Sequence, residues 1–170
     1  MSILFIVATP IGNLEDITLR ALRILQEVSL IAAEDTRTAR VLLSHYNIIT
    51  PLTSYTDAYE RDKRLKTQSL LTALASGDVA LISEAGMPTL ADPGFELVRA
   101  VLAAGHRVVP IPGPSAILAA LAASGLPTEP FCFVGFLPRR ANERRRLLAS
   151  LRDDVAMIVA FEAPHRLRDA

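Results

Sequence analysis

The sequence of 170 residues has no tryptophan, a single cysteine and three histidines. Cys132 alone closes no internal disulfide, which fits a reducing, cytoplasmic setting. One cysteine with His45, His106 and His165 far apart offers no zinc spacing, so no metal is expected. No G-x-G-x-x-G follows the first apolar run, and no G-x-x-x-x-G-K-[ST] occurs anywhere. The nicotinamide or flavin fingerprint and the P-loop are therefore excluded. Ser83 and Ser115 have no G-x-S-x-G setting, which argues against a hydrolase triad. Apolar runs are only strand-length, so no membrane span is expected. The N-terminal MSILFIVATPIG has no basic leader and meets Pro10 and Gly12 too early for a signal peptide.

Against these absences, 51% of the residues are hydrophobic, which describes a globular α/β protein. Ile3–Ala8 is a continuous apolar run, the pattern of a strand buried on both faces. Similar runs at 29–33, 78–83 and 107–111 predict further strands, and 48–55 predicts one interrupted at Pro51. Between them lie helical patterns, with Asp16, Asp92 and Ser115 placed as N-caps, Pro93 at a first helical position and Gly77 and Gly105 at C-terminal ends. Strand and helix alternate, which predicts a largely parallel sheet with helices on both faces.

Beyond Gly125 the pattern starts afresh: a strand at 131–136, a basic helix at 139–151, a strand at 155–161 and a helix start at Pro164. The reading is an α/β domain over 1–113, a connecting helix or linker over 114–126, and the start of a second α/β domain over 127–170. One strand pair with one complete helix cannot bury a core alone, so this second domain is expected to be incomplete or to pair with another copy. Net charge is zero, but residues 131–152 carry six arginines against Glu143 alone. Arg139, Arg140, Arg144, Arg145, Arg146 and Arg152 make this stretch a candidate phosphate-contacting surface.

Three loops share one design. TPIGN at 9–13, SEAGMP at 83–88 and PGPSA at 112–116 each follow an apolar strand and combine glycine with proline. In an open parallel sheet the carboxyl ends of the strands form the ligand crevice. Glycine lets backbone approach a ligand, and proline stiffens the loop without bulk. The stretch 81–94 is the longest of these connections, well beyond the roughly two to six residues usual between strand and helix. Glu34, Asp35 and Arg37 follow the second strand and face the same end.

The blocks VATPIGNLEDITLRAL, LIAAEDTR, ISEAGMPTLADPG, PIPGPSA, ASGLPT, FVGFLPR and FEAPHRL resemble, in order, the small subunit methyltransferase I family. These are bacterial 16S ribosomal RNA ribose 2′-O-methyltransferases acting on a cytidine, of the tetrapyrrole methylase fold class. The resemblance implies S-adenosylmethionine as methyl donor, the small ribosomal subunit as partner and a longer chain than this one. It implies a donor held by Pro10, by backbone at Glu84, Ala85 and Gly86, by Thr89 or Leu90, by Ser115 and Ala116, and by Phe161 or Glu162. It implies that Asp35 acts as base or orienter, beside Glu34, with Arg37 on phosphate or ribose, and that the arginines of 139–146 meet RNA. Glu84 stands where aspartate is more usual, and Ala163 where serine is. An alanine-rich helix at 115–124 adds the expectation of a homodimer. A tetrapyrrole methyltransferase and a non-catalytic donor-binding module remain the alternatives.

Overall fold

The computed structural model describes residues 2–56, 60–151 and 157–168. The expected helix start at Asp57, the strand start at Val155 and Arg152 lie outside the described residues. The chain divides into two compact units, Met1–Ser115 and Ala116–Ala170. The helix expected as part of a connecting segment groups with the second unit.

In the first unit the chain runs β1 (Ile3–Val7), α1 (Leu19–Glu27), β2 (Leu30–Ala33), α2 (Thr36–His45) and β3 (Leu52–Ser54). It continues through α3 (Glu60–Ser76), β4 (Val79–Ile82), α4 (Phe95–Ala103) and β5 (Arg107–Ile111). The strands form one parallel sheet in the order β3-β2-β4-β1-β5. Register aligns Val7 with Ile82 and Ile111, and Ala33 with Ile82 and Ser54, so the carboxyl ends finish in one row. Alternation along β1 sends Phe5 and Val7 to a core with Leu25 and Leu42 of α1 and α2. It sends Leu4 and Ile6 to a second core with Leu70, Leu74, Leu97 and Val101 of α3 and α4. Both faces are thus covered, which is why β1 and β4 read as unbroken apolar runs.

Two expected helix starts shift. Asp16 lies inside a single 3-10 turn, Leu14–Asp16, and buried Ile17 breaks the chain before Thr18, which caps α1 by accepting from Ala21 N. Helix α4 begins at Phe95, not Pro93, and its N-cap is Gly94 (φ 135°) with no side-chain cap. Asp92 and Pro93 belong to the preceding loop, whose backbone is bent by Thr89 (φ 75°) and Ala91 (φ 65°). A β-branched residue at positive φ is an outlier that only surrounding packing sustains.

In the second unit, α5 (Ala116–Ala123) precedes β6 (Phe131–Phe136), α6 (Ala141–Leu151) and β7 (Met157–Phe161). Strands β6 and β7 pair in parallel, joined over α6 as a parallel pair requires. Phe161 packs edge-on to Phe133, ring centres 4.8 Å apart, and lies 5.5 Å from Phe136.

Candidate active site

The three glycine-proline loops converge within the first unit. Thr9 and Gly86 exchange backbone hydrogen bonds, Thr9 N to Gly86 O at 2.9 Å and Gly86 N to Thr9 O at 3.0 Å. Buried Thr9 Oγ1 donates to the Ser83 carbonyl at 3.3 Å, and buried Ser83 Oγ to the Gly86 carbonyl at 3.3 Å. Gly86 holds φ 78°, and a Cβ there would lie 3.5 Å from Ile11 Cγ2 and 3.9 Å from the Pro114 carbonyl oxygen. Glycine holds that left-handed backbone without strain, and the space beside it borders both neighbouring loops. The loops after β1, β4 and β5 therefore meet at one residue.

A hollow of about 780 Å³ opens beside this junction, at the carboxyl ends of β1, β2 and β4. Pro10, Ile11, Leu14, Val41, Leu42 and Ala85 give it apolar walls, and Asp35, Arg37 and Glu84 give it polar ones. Asp35 is the N-cap of α2 and accepts from Arg37 N at 2.7 Å. The same carboxylate grips the Arg37 guanidinium, Nη2 to Oδ2 at 2.7 Å, while the arginine side chain stays exposed. Arg37 beside it, through side-chain and backbone hydrogen bonds, holds the Asp35 carboxyl down at about 2, and Asp35 raises Arg37 in turn. Glu34 Oε2 accepts from Glu84 N at 3.4 Å, tying the β2 end to the β4 loop. Asp92 is half-buried; burial pushes its carboxyl up, a hydrogen bond with Ser83 pulls it down, and nearby Glu84 pushes it up again.

Of the residues singled out in the sequence, Pro10, Asp35, Arg37, Glu84 and Ala85 line one hollow, and Glu34 adjoins it. Gly86 is buried at the junction with its N–H already taken by Thr9. Thr89 turns its methyl towards Gly94, and Leu90 is exposed. Neither Thr89 nor Leu90 lines the hollow, nor do Ser115 and Ala116 at the junction of the units. Thr9, Ser83 and Asp92 were not picked out as site residues. A hydroxyl directly after a buried strand was the available signal for the first two.

In the second unit, Glu162 is buried, its side chain 7% exposed, with Oε1 accepting from Ala163 N at 2.8 Å. Its Oε2 lies 3.1 Å from Arg166 Nη2, close enough for an ion pair but not aligned for a hydrogen bond. Arg166 Nη2 also donates to the carbonyls of Leu137 and Pro138, at 3.3 and 3.4 Å. Phe136, Arg139 and His165 border a separate hollow of about 710 Å³ there. On and before α6, Arg140 pairs with Glu143 at 3.3 Å and Arg144 donates to the Pro138 carbonyl. Arg139, Arg145 and Arg146 are exposed.

The model of the tetrapyrrole (corrin/porphyrin) methylases matches residues 4–170. The chain belongs to this family. Among its relatives, Ribosomal RNA small subunit methyltransferase I of Halalkalibacterium halodurans is 50% identical over 98% of this chain and 57% of its own length. The Pseudomonas aeruginosa protein of that name is 50% identical over 98% of this chain and 58% of its own. The one from Thermotoga maritima is 51% identical over 98% of this chain and 74% of its own. The chain thus spans less than three fifths of the first two relatives. Uroporphyrin-III-C-methyltransferase from Thermus thermophilus shares the fold, with TM-score 0.58 and 21% identity over 81% of this chain and 60% of that one. A conserved hypothetical protein from Aeropyrum pernix K1 aligns at TM-score 0.70 and 18% identity over 97% of this chain and 59% of that one. As a tetrapyrrole methylase, the chain carries its Gly86 junction at the strand ends where an open α/β sheet seats its ligand.

Proposed function

We propose that this chain forms the first part of an S-adenosylmethionine-dependent methyltransferase. Its reaction moves a methyl group to the 2′-hydroxyl of a cytidine ribose in 16S ribosomal RNA of the small subunit. The observation that carries this reading is the meeting of the TPIGN, SEAGMP and PGPSA loops at Gly86, in a chain half identical to ribosomal RNA small subunit methyltransferases I. The donor fits those loops chemically: none of 9–13, 83–88 and 112–116 carries a lysine or arginine that would oppose a cationic ligand. When bound, S-adenosylmethionine supplies a methyl on a positively charged sulfur that leaves as a neutral thioether.

Methyl transfer of this kind is chiefly a matter of alignment. The ribose oxygen would take the methyl as the carbon–sulfur bond opens, and its hydroxyl proton would pass to solvent water. Pro10 and the backbone of Glu84 and Ala85 border the donor, with Gly86 as the fixed point beneath. Thr89, Leu90 and Ser115 would hold it within the first unit. A carboxyl held at about 2 is a weak proton acceptor, so the part left to Asp35 is to aim Arg37 at ribose or phosphate. Glu34 braces the β4 loop beside it. Arg139, Arg145 and Arg146 are the arginines most open to RNA phosphates, with Arg140 and Arg144 flanking them. No described helix is long and apolar enough to cross a membrane; with a ribosomal substrate, the cytoplasm is the proposed location. A homodimer is proposed through α5, on which Leu118 is exposed.

The test uses an enzyme of the relatives' full length. Calorimetry with S-adenosylhomocysteine measures donor-site binding, and tritiated donor is offered to small ribosomal subunits and to uroporphyrinogen. Label in ribosomal RNA that resists alkaline cleavage at its own phosphodiester supports the assignment. Label in the porphyrinogen, or binding without transfer to either, overturns it.

A further inference from the structure

The hollow at the ends of β1, β2 and β4 combines apolar walls with the charged side chains of Asp35, Arg37 and Glu84. We propose that it seats the target base, flipped out of its strand, and that the Glu84 carboxylate reads the base's exocyclic amine. The proposal rests on the methyltransferase reading above and adds a specificity-determining residue to it.

Leu14, Val41 and Leu42 supply apolar wall to cover the faces of a base, and about 780 Å³ is ample for a nucleoside. Glu84 is exposed on the lining, and among the described residues its carboxylate makes no hydrogen bond. An ionised carboxylate only accepts. It therefore matches cytosine or adenine, whose amines donate from the pairing edge, and it opposes the carbonyl that uracil or guanine presents there. Asp35 cannot do the same work, because its oxygens are filled by the backbone N–H, Nε and Nη2 of Arg37. Arg37 is the one cation on the lining and reaches solvent at the rim, where a phosphate flanking the base would lie. Glu84, the lining acid not paired with Arg37, repels phosphate and leaves the interior to the base.

The experiment uses full-length enzyme with reconstituted small subunits carrying cytidine or uridine at the methylated position. Wild-type enzyme is expected to favour cytidine in kcat/KM by about tenfold or more. Glu84→Gln places an amide that can donate to the uracil carbonyl, so the preference should fall by about tenfold or invert. S-adenosylhomocysteine affinity and the melting temperature should stay at wild-type values. An unchanged cytidine preference in the variant overturns the proposal, and so does lost S-adenosylhomocysteine affinity, which would give Glu84 to the donor. Wild-type enzyme that methylates neither subunit sinks the methyltransferase reading itself.

Discussion

Strand β4 of the first unit and strand β6 of the second are both short, apolar and parallel-paired, yet they live in different surroundings. Every residue of β4 is buried, between β2 and β1 in the sheet and between two helix pairs across it. No residue of β6 is buried, and Phe131 and Phe136 at its ends are 42% and 56% exposed. The contrast shows that apolar composition does not make a core; coverage on both faces does. It also divides the labour. The buried sheet holds strained loops such as 83–94 in place, with positive φ at Gly86, Thr89, Ala91 and Gly94. The open unit presents charge, with arginines on an exposed helix.

The largest effect that tests this contrast is in the cores. Leu4→Ala removes a fully buried side chain from between α3 and α4 and should cost about 2–5 kcal/mol in urea unfolding. Leu147→Ala on α6, only half-buried, should cost about 1 kcal/mol or less. Equal losses would mean that the second unit is packed as tightly as the first.

Coverage also explains what the residues made legible. The five-strand unit was readable because its inner strands β1 and β4 are buried on both faces and so show as unbroken apolar runs; Ile3–Val7 and Arg107–Ile111 fall within a residue of expectation. The shared crevice was readable because glycine and proline punctuate the ends of those runs. The helix ends at Gly77 and Gly105 and the start after Ser115 were readable too, but the starts expected at Asp16 and Asp92 were not, since they depend on packing elsewhere. Asp92-Pro93 looks like a helix start locally, but the chain must first pass Gly94, where a Cβ would come within 2.8 Å of Leu81 and 2.9 Å of Thr89. That space admits only glycine, and Gly94 at φ 135° is outside the helical range, so the helix begins at Phe95. The use of Asp35 was ambiguous for a similar reason: a carboxylate at a strand end serves equally as cap or as base. The structure shows its carboxylate capping α2 and pairing with Arg37. Wall residues Val41 and Leu42 were invisible because α2 folds them towards a loop that lies more than thirty residues away in the sequence.

A second effect separates the surfaces. Replacing Arg145 and Arg146 with glutamine removes two exposed charges and should weaken RNA binding. The plot of log affinity against log salt should become shallower by about two. Donor-site affinity for S-adenosylhomocysteine should stay unchanged. Equal weakening of both ligands would mean that α6 serves the fold rather than the RNA.

The smallest effect lies wholly within the first unit, where Asp35 and Asp92 respond to pH in opposite senses. The folded chain holds Asp35 at about 2, below its ordinary 3.8, so the unfolded chain takes up that proton first as pH falls. Stability from Asp35 is therefore complete above about pH 4 and is lost as pH falls towards about 2. Asp92 is shifted upwards by burial, so the folded chain keeps its proton longer than the unfolded chain does. Its ionisation costs stability as pH rises through the range just above 3.8. Asp35→Asn keeps an N-cap acceptor but has no charge, and it should flatten the acid limb of a urea-midpoint profile taken across pH 2–6. Asp92→Asn should flatten the decline at the higher end instead. If Asp92→Asn leaves that decline unchanged, Asp92 is solvated like an ordinary surface carboxylate, and the tightly packed loop that distinguishes the first unit from the second is looser than its backbone angles require.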